Sequence, residues 1–154
     1  MPSDLFIPTA YTGSKQFEQQ DVVTANASGF GAAADDYAER GIDLNEQLVM
    51  NKPATFFFRM NSDAMSGSGI EAGDILIVDR SIPLSNHKII IAVVDGDIVV
   101  RRWEQINKDS CTLHADNKKY STITVQSFNH YQCWGVVTCH IRLLDASLIA
   151  FNKK

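Results

Sequence analysis

Between Thr55 and Leu144 the chain is cut into short apolar runs by turn residues, and this spacing limits the available folds more than any other feature. The runs are TFFFRM, DILIVD, KIIIAVV, DIVVRRW, CTLHA, TITVQS and WGVVTCHIRLL. All are rich in β-branched and aromatic side chains, which suit a half-buried pleated surface. Turn material separates them: SGSGIEAG, PLSNH, NKDS and DNKKYS. Asp95-Gly96 alone joins IIIAVV to DIVVRRW, as expected of a type I′ hairpin, where both central residues take positive φ. Seven or so short strands with tight turns predict a mainly β protein built on a folded or partly closed antiparallel sheet rather than an open βαβ sheet.

Residues 1–40 read differently. Pro, Thr, Gly, Ser and Gln give way to ASGFGAAADDY with no sustained period. Such a segment buries too little apolar surface to offset its ordering entropy unless it docks elsewhere. The expected organisation is a flexible N-terminal arm over 1–40 and a folded domain over 41–154. One short helix opens the domain at IDLNEQLVMN. Asp43 and Glu46 resemble a capping box, Leu44 and Leu48 stand at i, i+4, and Pro53 pushes the preceding residue out of the helical region.

With 154 residues, 45% hydrophobic and 21% charged, the chain can bury a core without staples. A net charge of −4 argues against direct nucleic-acid binding, since phosphate contacts need a basic face. Cys111, Cys133 and Cys139 are odd in number and lie in apolar surroundings, as expected of reduced thiols in a cytoplasmic protein. Cys139-His140 has no second ligand pair at zinc spacing, so neither metal nor other cofactor is expected. MPSDLFIPTAYTG lacks the basic and apolar regions of a secretory signal, and IIIAVV falls far short of the roughly 20 residues of a membrane span.

Three features stand out as carriers of chemistry. The loop NSDAMSGSGIEAGD lies between two strand runs, a usual mount for a catalytic group, and offers Ser62, Ser66 and Ser68. Gly67, Gly69 and Gly73 permit sharp turns there, and Met65 and Ile70 are placed to anchor it. The hairpin strand DIVVRRW carries the basic pair Arg101-Arg102. In the arm, ASGFG has small residues that fit a narrow cleft in extended form.

Taken in order, GF…ADDY…IDLNEQL, PATFFFRM, SDAM…GI..GDILIVDRS, IIIAVVDGDIVVRRW and WGVV resemble the UmuD family of SOS mutagenesis proteins, relatives of the self-cleaving domain of the LexA repressor. The likeness runs from Gly29 to about Ile141, and the short arm without a helix-turn-helix favours UmuD over LexA. It implies a LexA/UmuD-like folded antiparallel β-domain. It also implies a homodimer or a mixed dimer with another UmuD-type chain, a UmuC-type translesion polymerase as partner, and a RecA filament that stimulates cleavage. In that family a serine in a G-D-S-M loop, activated by a lysine in V-K-R/K, cuts the arm at a Cys-Gly or Ala-Gly bond. The nucleophile position falls on Ala64, with Ser62 in place of the glycine and Asp63 and Met65 holding the register. The base position falls on Arg101, the cleavage site on Ser28-Gly29, and Asp79, Arg80 and Ser81 match downstream.

A methyl group has no nucleophilic atom. A guanidinium keeps its proton and binds carboxylates or carbonyls without acting as a base. Ser62 and Ser66 stand two residues from the expected position, and Lys88 lies at the start of IIIAVV. Those offsets amount to several ångströms where near-attack geometry tolerates about one. The expectation is a polymerase accessory subunit that does not cleave itself. The alternatives are a peptidase working through another serine or cut in trans, and a regulatory partner in mixed dimers. Read structurally, Ser62, Ser66 and Ser68 are turn formers, and Phe56, Phe58, Trp103 and Trp134 are core or dimer contacts. Arg101 and Arg102 face opposite ways, so at least one is expected to be a solvated charge. None of the four histidines is assigned chemistry.

Overall fold

A computed structural model describes residues 4, 9–10, 41–126 and 130–152. The chain divides into two units, one comprising Met1–Tyr11 with Asn51–Lys154, the other Thr12–Met50. Most of the expected arm lies outside the described residues.

In the first unit each of the seven apolar runs forms a strand: β2 (Thr55–Arg59), β3 (Ile75–Asp79), β4 (Ile89–Val94), β5 (Asp97–Asn107), β6 (Ser110–His114), β7 (Ile123–Val125) and β8 (Tyr131–Ile141). An additional strand, β1 (Thr9–Ala10), pairs with Phe57 and Phe56 of β2. The sheet order is β1-β2-β3-β8-β4-β5-β6-β7, with every pairing antiparallel. The β4–β5 turn takes the expected form, with φ 50° at Asp95 and 90° at Gly96.

β8 sits between β3 and β4 and is bulged against both. Thr138 is the extra residue opposite β3, where Ile77 pairs with Cys139 and Val78 with Val137. Trp134 is the extra residue opposite β4, where Ile91 pairs with Gly135 and Ala92 with Cys133. Such bulges bend a strand and re-aim its side chains. Here Trp134 receives Phe56 and Phe58 edge-on at 5.0 Å each, and the Arg80 guanidinium lies 4.3 Å from its ring centre.

Side chains alternate between two clusters. Ile91 and Val100 join Phe58, Met60, Leu76 and Val78 in one, while Ile90, Ala92, Val94 and Val99 join Leu113, Val125 and Val136 in the other. The β4–β5 hairpin is thus buried on both faces, which is why IIIAVV reads as a continuous apolar run. The three cysteines are free, and burial pushes the Cys111 and Cys133 thiols up. After β8 the described residues do not extend the sheet: Ala146–Asn152 form a helix (α2 in chain order), with the Asp145 carboxylate accepting from the Ser147 N–H at 2.8 Å.

The second unit contributes helix α1 (Leu44–Leu48), whose N-cap Asp43 accepts from the Asn45 N–H at 2.9 Å. Among the described residues no helix is long and apolar enough to cross a membrane.

Candidate functional site at the 61–74 loop and the β5 hairpin

The loop after β2 is closed at its base by two backbone bonds, Met60 N–H to Asp74 O and Gly73 N–H to Met60 O, both 2.8 Å. Met65 and Ile70 are buried, as their anchor roles require. At its centre Gly67 donates its N–H to the Asp116 carbonyl at 2.6 Å, and a Cβ at Gly67 would lie 2.4 Å from that oxygen. Only glycine allows this approach.

Segment 115–120 clamps the loop at two further points. Asn117 Nδ2 donates to the Asp63 carbonyl at 2.8 Å, and the Tyr120 hydroxyl donates to Asp63 Oδ1 at 2.7 Å. The Tyr120 bond, helped by Lys119, holds the Asp63 carboxyl below the ordinary carboxylate range. Ser68 and Asp116 share a short hydrogen bond, and Arg102 Nη2 reaches both, at 2.8 Å to Ser68 Oγ and 2.6 Å to Asp116 Oδ2. Burial alone would raise the Asp116 carboxyl, but the Arg102 and Ser68 hydrogen bonds outweigh it and hold it low.

Two expectations are corrected here. Ser68 is part of a charged clamp rather than a simple turn former. Arg102 is half-buried in that clamp, and its neighbour Arg101 is 1% exposed, so neither is a solvated charge. The loop folds back over the hairpin, and strand alternation cannot reveal that.

At the far end of the loop, buried Asp74 accepts from Arg142 Nε and Nη2 at 2.8 Å each and from the Glu71 N–H at 2.9 Å, with His140 Nδ1 at 3.1 Å. Burial would raise this carboxyl, yet those bonds, Arg142 foremost, hold it below the ordinary value. A lowered folded-state pKa stabilises the protein above the unfolded value and loses that stabilisation as pH falls through the folded one. Asp74→Asn should therefore cost stability at pH 7 and flatten its decline below about pH 4, checked by urea midpoints across pH.

Ala64 is fully buried, and its N–H points to Ser62 Oγ at 3.3 Å. Lys88 Nζ donates to the Pro83 carbonyl at 2.7 Å, so both the neighbouring serine and the nearest lysine are engaged locally. Tyr120 packs against the cluster containing Ala64 and Met65, and the Arg101 guanidinium lies over its ring at 5.3 Å. Tyr120 thus touches both the Arg101 guanidinium and the hydrophobic cluster to which Ala64 belongs. Arg101 Nη1 donates to Val100 O at 2.7 Å and to Asp4 Oδ2 at 2.6 Å, and Asp4 is itself buried.

Asp4 is the site residue that the sequence reading missed. Nothing local marks it. The one available signal was Arg101 itself, a cation on an apolar strand that needs an anion when buried. Ser28 and Gly29 lie outside the described residues. Among the described residues, no three His, Cys, Asp or Glu side chains gather to hold a metal.

A bulged antiparallel sheet whose Gly-Ser loop closes over a basic hairpin strand is the LexA/UmuD-like peptidase class. Residues 21–138 match the Peptidase S24-like family profile. Protein ImpA of Escherichia coli is 40% identical over 111 residues, spanning 72% of this chain and 74% of ImpA. Protein SamA of Salmonella typhimurium is 34% identical over 114 residues, spanning 74% of this chain and 78% of SamA. Protein MucA of Escherichia coli is 30% identical over 113 residues, spanning 73% and 76%. The chain belongs to the UmuD family of Peptidase S24-like proteins.

Proposed function

We propose that this chain is a UmuD-type accessory subunit of an error-prone translesion polymerase in the SOS response, and that it does not cleave itself. The observation that carries the reading is the state of Arg101. At the position of the family's lysine base stands a permanently protonated side chain, buried in an ion pair with Asp4. The nucleophile position, Ala64, offers only a methyl group. A shaped loop closing over a basic strand is suited to binding a chain segment rather than cutting one.

Incubated with RecA, nucleotide and single-stranded DNA, the protein should stay full length on a denaturing gel. A fragment beginning at Gly29 would sink the proposal. Co-purification with a UmuC-type polymerase is the expected partnership, whereas recovery only with another UmuD-type chain would favour the regulatory mixed dimer.

A further inference from the structure

β5 pairs with β4 along Asp97–Arg102, but with β6 only from Arg102 onward. The outer edge of β5 at Ile98–Arg101 is therefore open to another partner, and Asp4 takes it. The Asp4 N–H donates to the Ile98 carbonyl at 2.9 Å, and its Oδ2 accepts from the Val100 N–H at 3.1 Å and from Arg101 Nη1 at 2.6 Å. On the opposite wall, the Asn61 N–H donates to the Asp4 carbonyl at 2.7 Å. Further along, Thr9 and Ala10 pair with Phe57 and Phe56 of β2, the strand that leads to Asn61.

This is how an extended peptide adds to a sheet edge: main-chain bonds on both sides and one side chain in a specificity pocket. The pocket is chemically selective. Its floor is a buried guanidinium over Tyr120, with Nε lacking a hydrogen-bond partner among the described residues, so a neutral side chain would leave a cation unpaired.

We propose that the groove at Arg101 is a receptor for an extended acidic peptide, and that its resident ligand is the chain's own N-terminal segment, locked by the Asp4 carboxylate. This deepens the preceding proposal and rests on its reading of Arg101 as a binder rather than a base. The consequence is a groove closed in cis. An acidic segment from a partner chain gains entry only by displacing Asp4.

Amide hydrogen exchange on the full-length chain tests this without RecA or cleavage. In the wild type, Asn61 and Val100 should exchange at least about tenfold more slowly than in an unstructured chain. In Asp4→Asn both should speed up at least about tenfold, with Leu76 and Ile91 in the strands unchanged. Arg101→Lys, which keeps the cation, should retain the protection. A labelled peptide of residues 1–12 should bind the Asp4→Asn chain but not the wild type, and should weaken when its own Asp4 is changed to Asn. Unprotected Asn61 and Val100 in the wild type, or exchange insensitive to Asp4→Asn, would overturn the inference. The two proposals fail separately: a Gly29 fragment from a chain with protected Val100 removes only the silent-subunit reading, and an uncut chain with unprotected Val100 removes only the lock.

Discussion

Replacing Asp4 with alanine should lower the stability of the protein by about 3 kcal/mol, from a single change near the N-terminus. Removing one partner of a buried ion pair typically costs about 3–5 kcal/mol, because the other charge is left without compensation. The low end is expected, since Arg101 keeps its bond to the Val100 carbonyl and water can enter the vacated slot. For a chain of this length that corresponds to a fall in Tm of about 6–12 °C, readable by calorimetry.

The reverse change should cost much less. Arg101→Met leaves Asp4 free to turn toward water and should lose about 1 kcal/mol. The double variant Asp4→Ala/Arg101→Met has no buried charge to strand, so its stability should lie near that of Arg101→Met alone. The coupling between the two sites should then be about 3 kcal/mol, and strictly additive losses would show that the pair is not a unit.

The second large effect concerns chemistry. Ala64→Ser with Arg101→Lys writes both catalytic groups back, yet this double variant should remain uncut in the presence of RecA filaments. The introduced lysine would inherit the Asp4 carboxylate as its neighbour, and an adjacent anion favours the ammonium, which is not a base. Adding Asp4→Ala removes the anion that favours the ammonium, so the lysine on this apolar strand gives up its proton more readily and can act as a base. The triple variant should therefore yield a fragment starting at Gly29. Because losing a nucleophile or its base costs a serine peptidase about 10⁶ in kcat, the contrast should be between product and none. Cleavage of the double variant would show that Asp4 does not control position 101. An uncut triple variant would show that the scaffold has changed beyond the dyad.

What was legible in the sequence was local. Seven apolar runs became β2 to β8, Asp95-Gly96 made its turn with positive φ at both residues, and Met65 and Ile70 anchor the loop. The family likeness placed attention on Ala64 and Arg101 from motif register alone. What escaped was long-range. β1 is two residues long and shows no period, and Asp4 meets Arg101 across 97 positions of sequence. Asp116 and Ser68 are likewise brought to Arg102 by a loop folding back, which no pattern within either segment encodes. An acidic residue near a terminus reads as solvated until the cation it serves is known to be buried.

The central place of β8 has a consequence for how the chain is made. Among the described residues, strands β2–β3 and the meander β4–β7 are joined in the sheet only through β8, which contacts β3 on one side and β4 on the other. Until residues 131–141 have been made, β3 and β4 each lack the strand that covers one of their edges. Exposed edges of this kind invite pairing with other nascent chains, and closing such distant contacts is slow. Translation that stalls before Tyr131 would release a chain whose two halves meet only through the 61–74 loop, Asp4 and their shared core, without a continuous sheet between them.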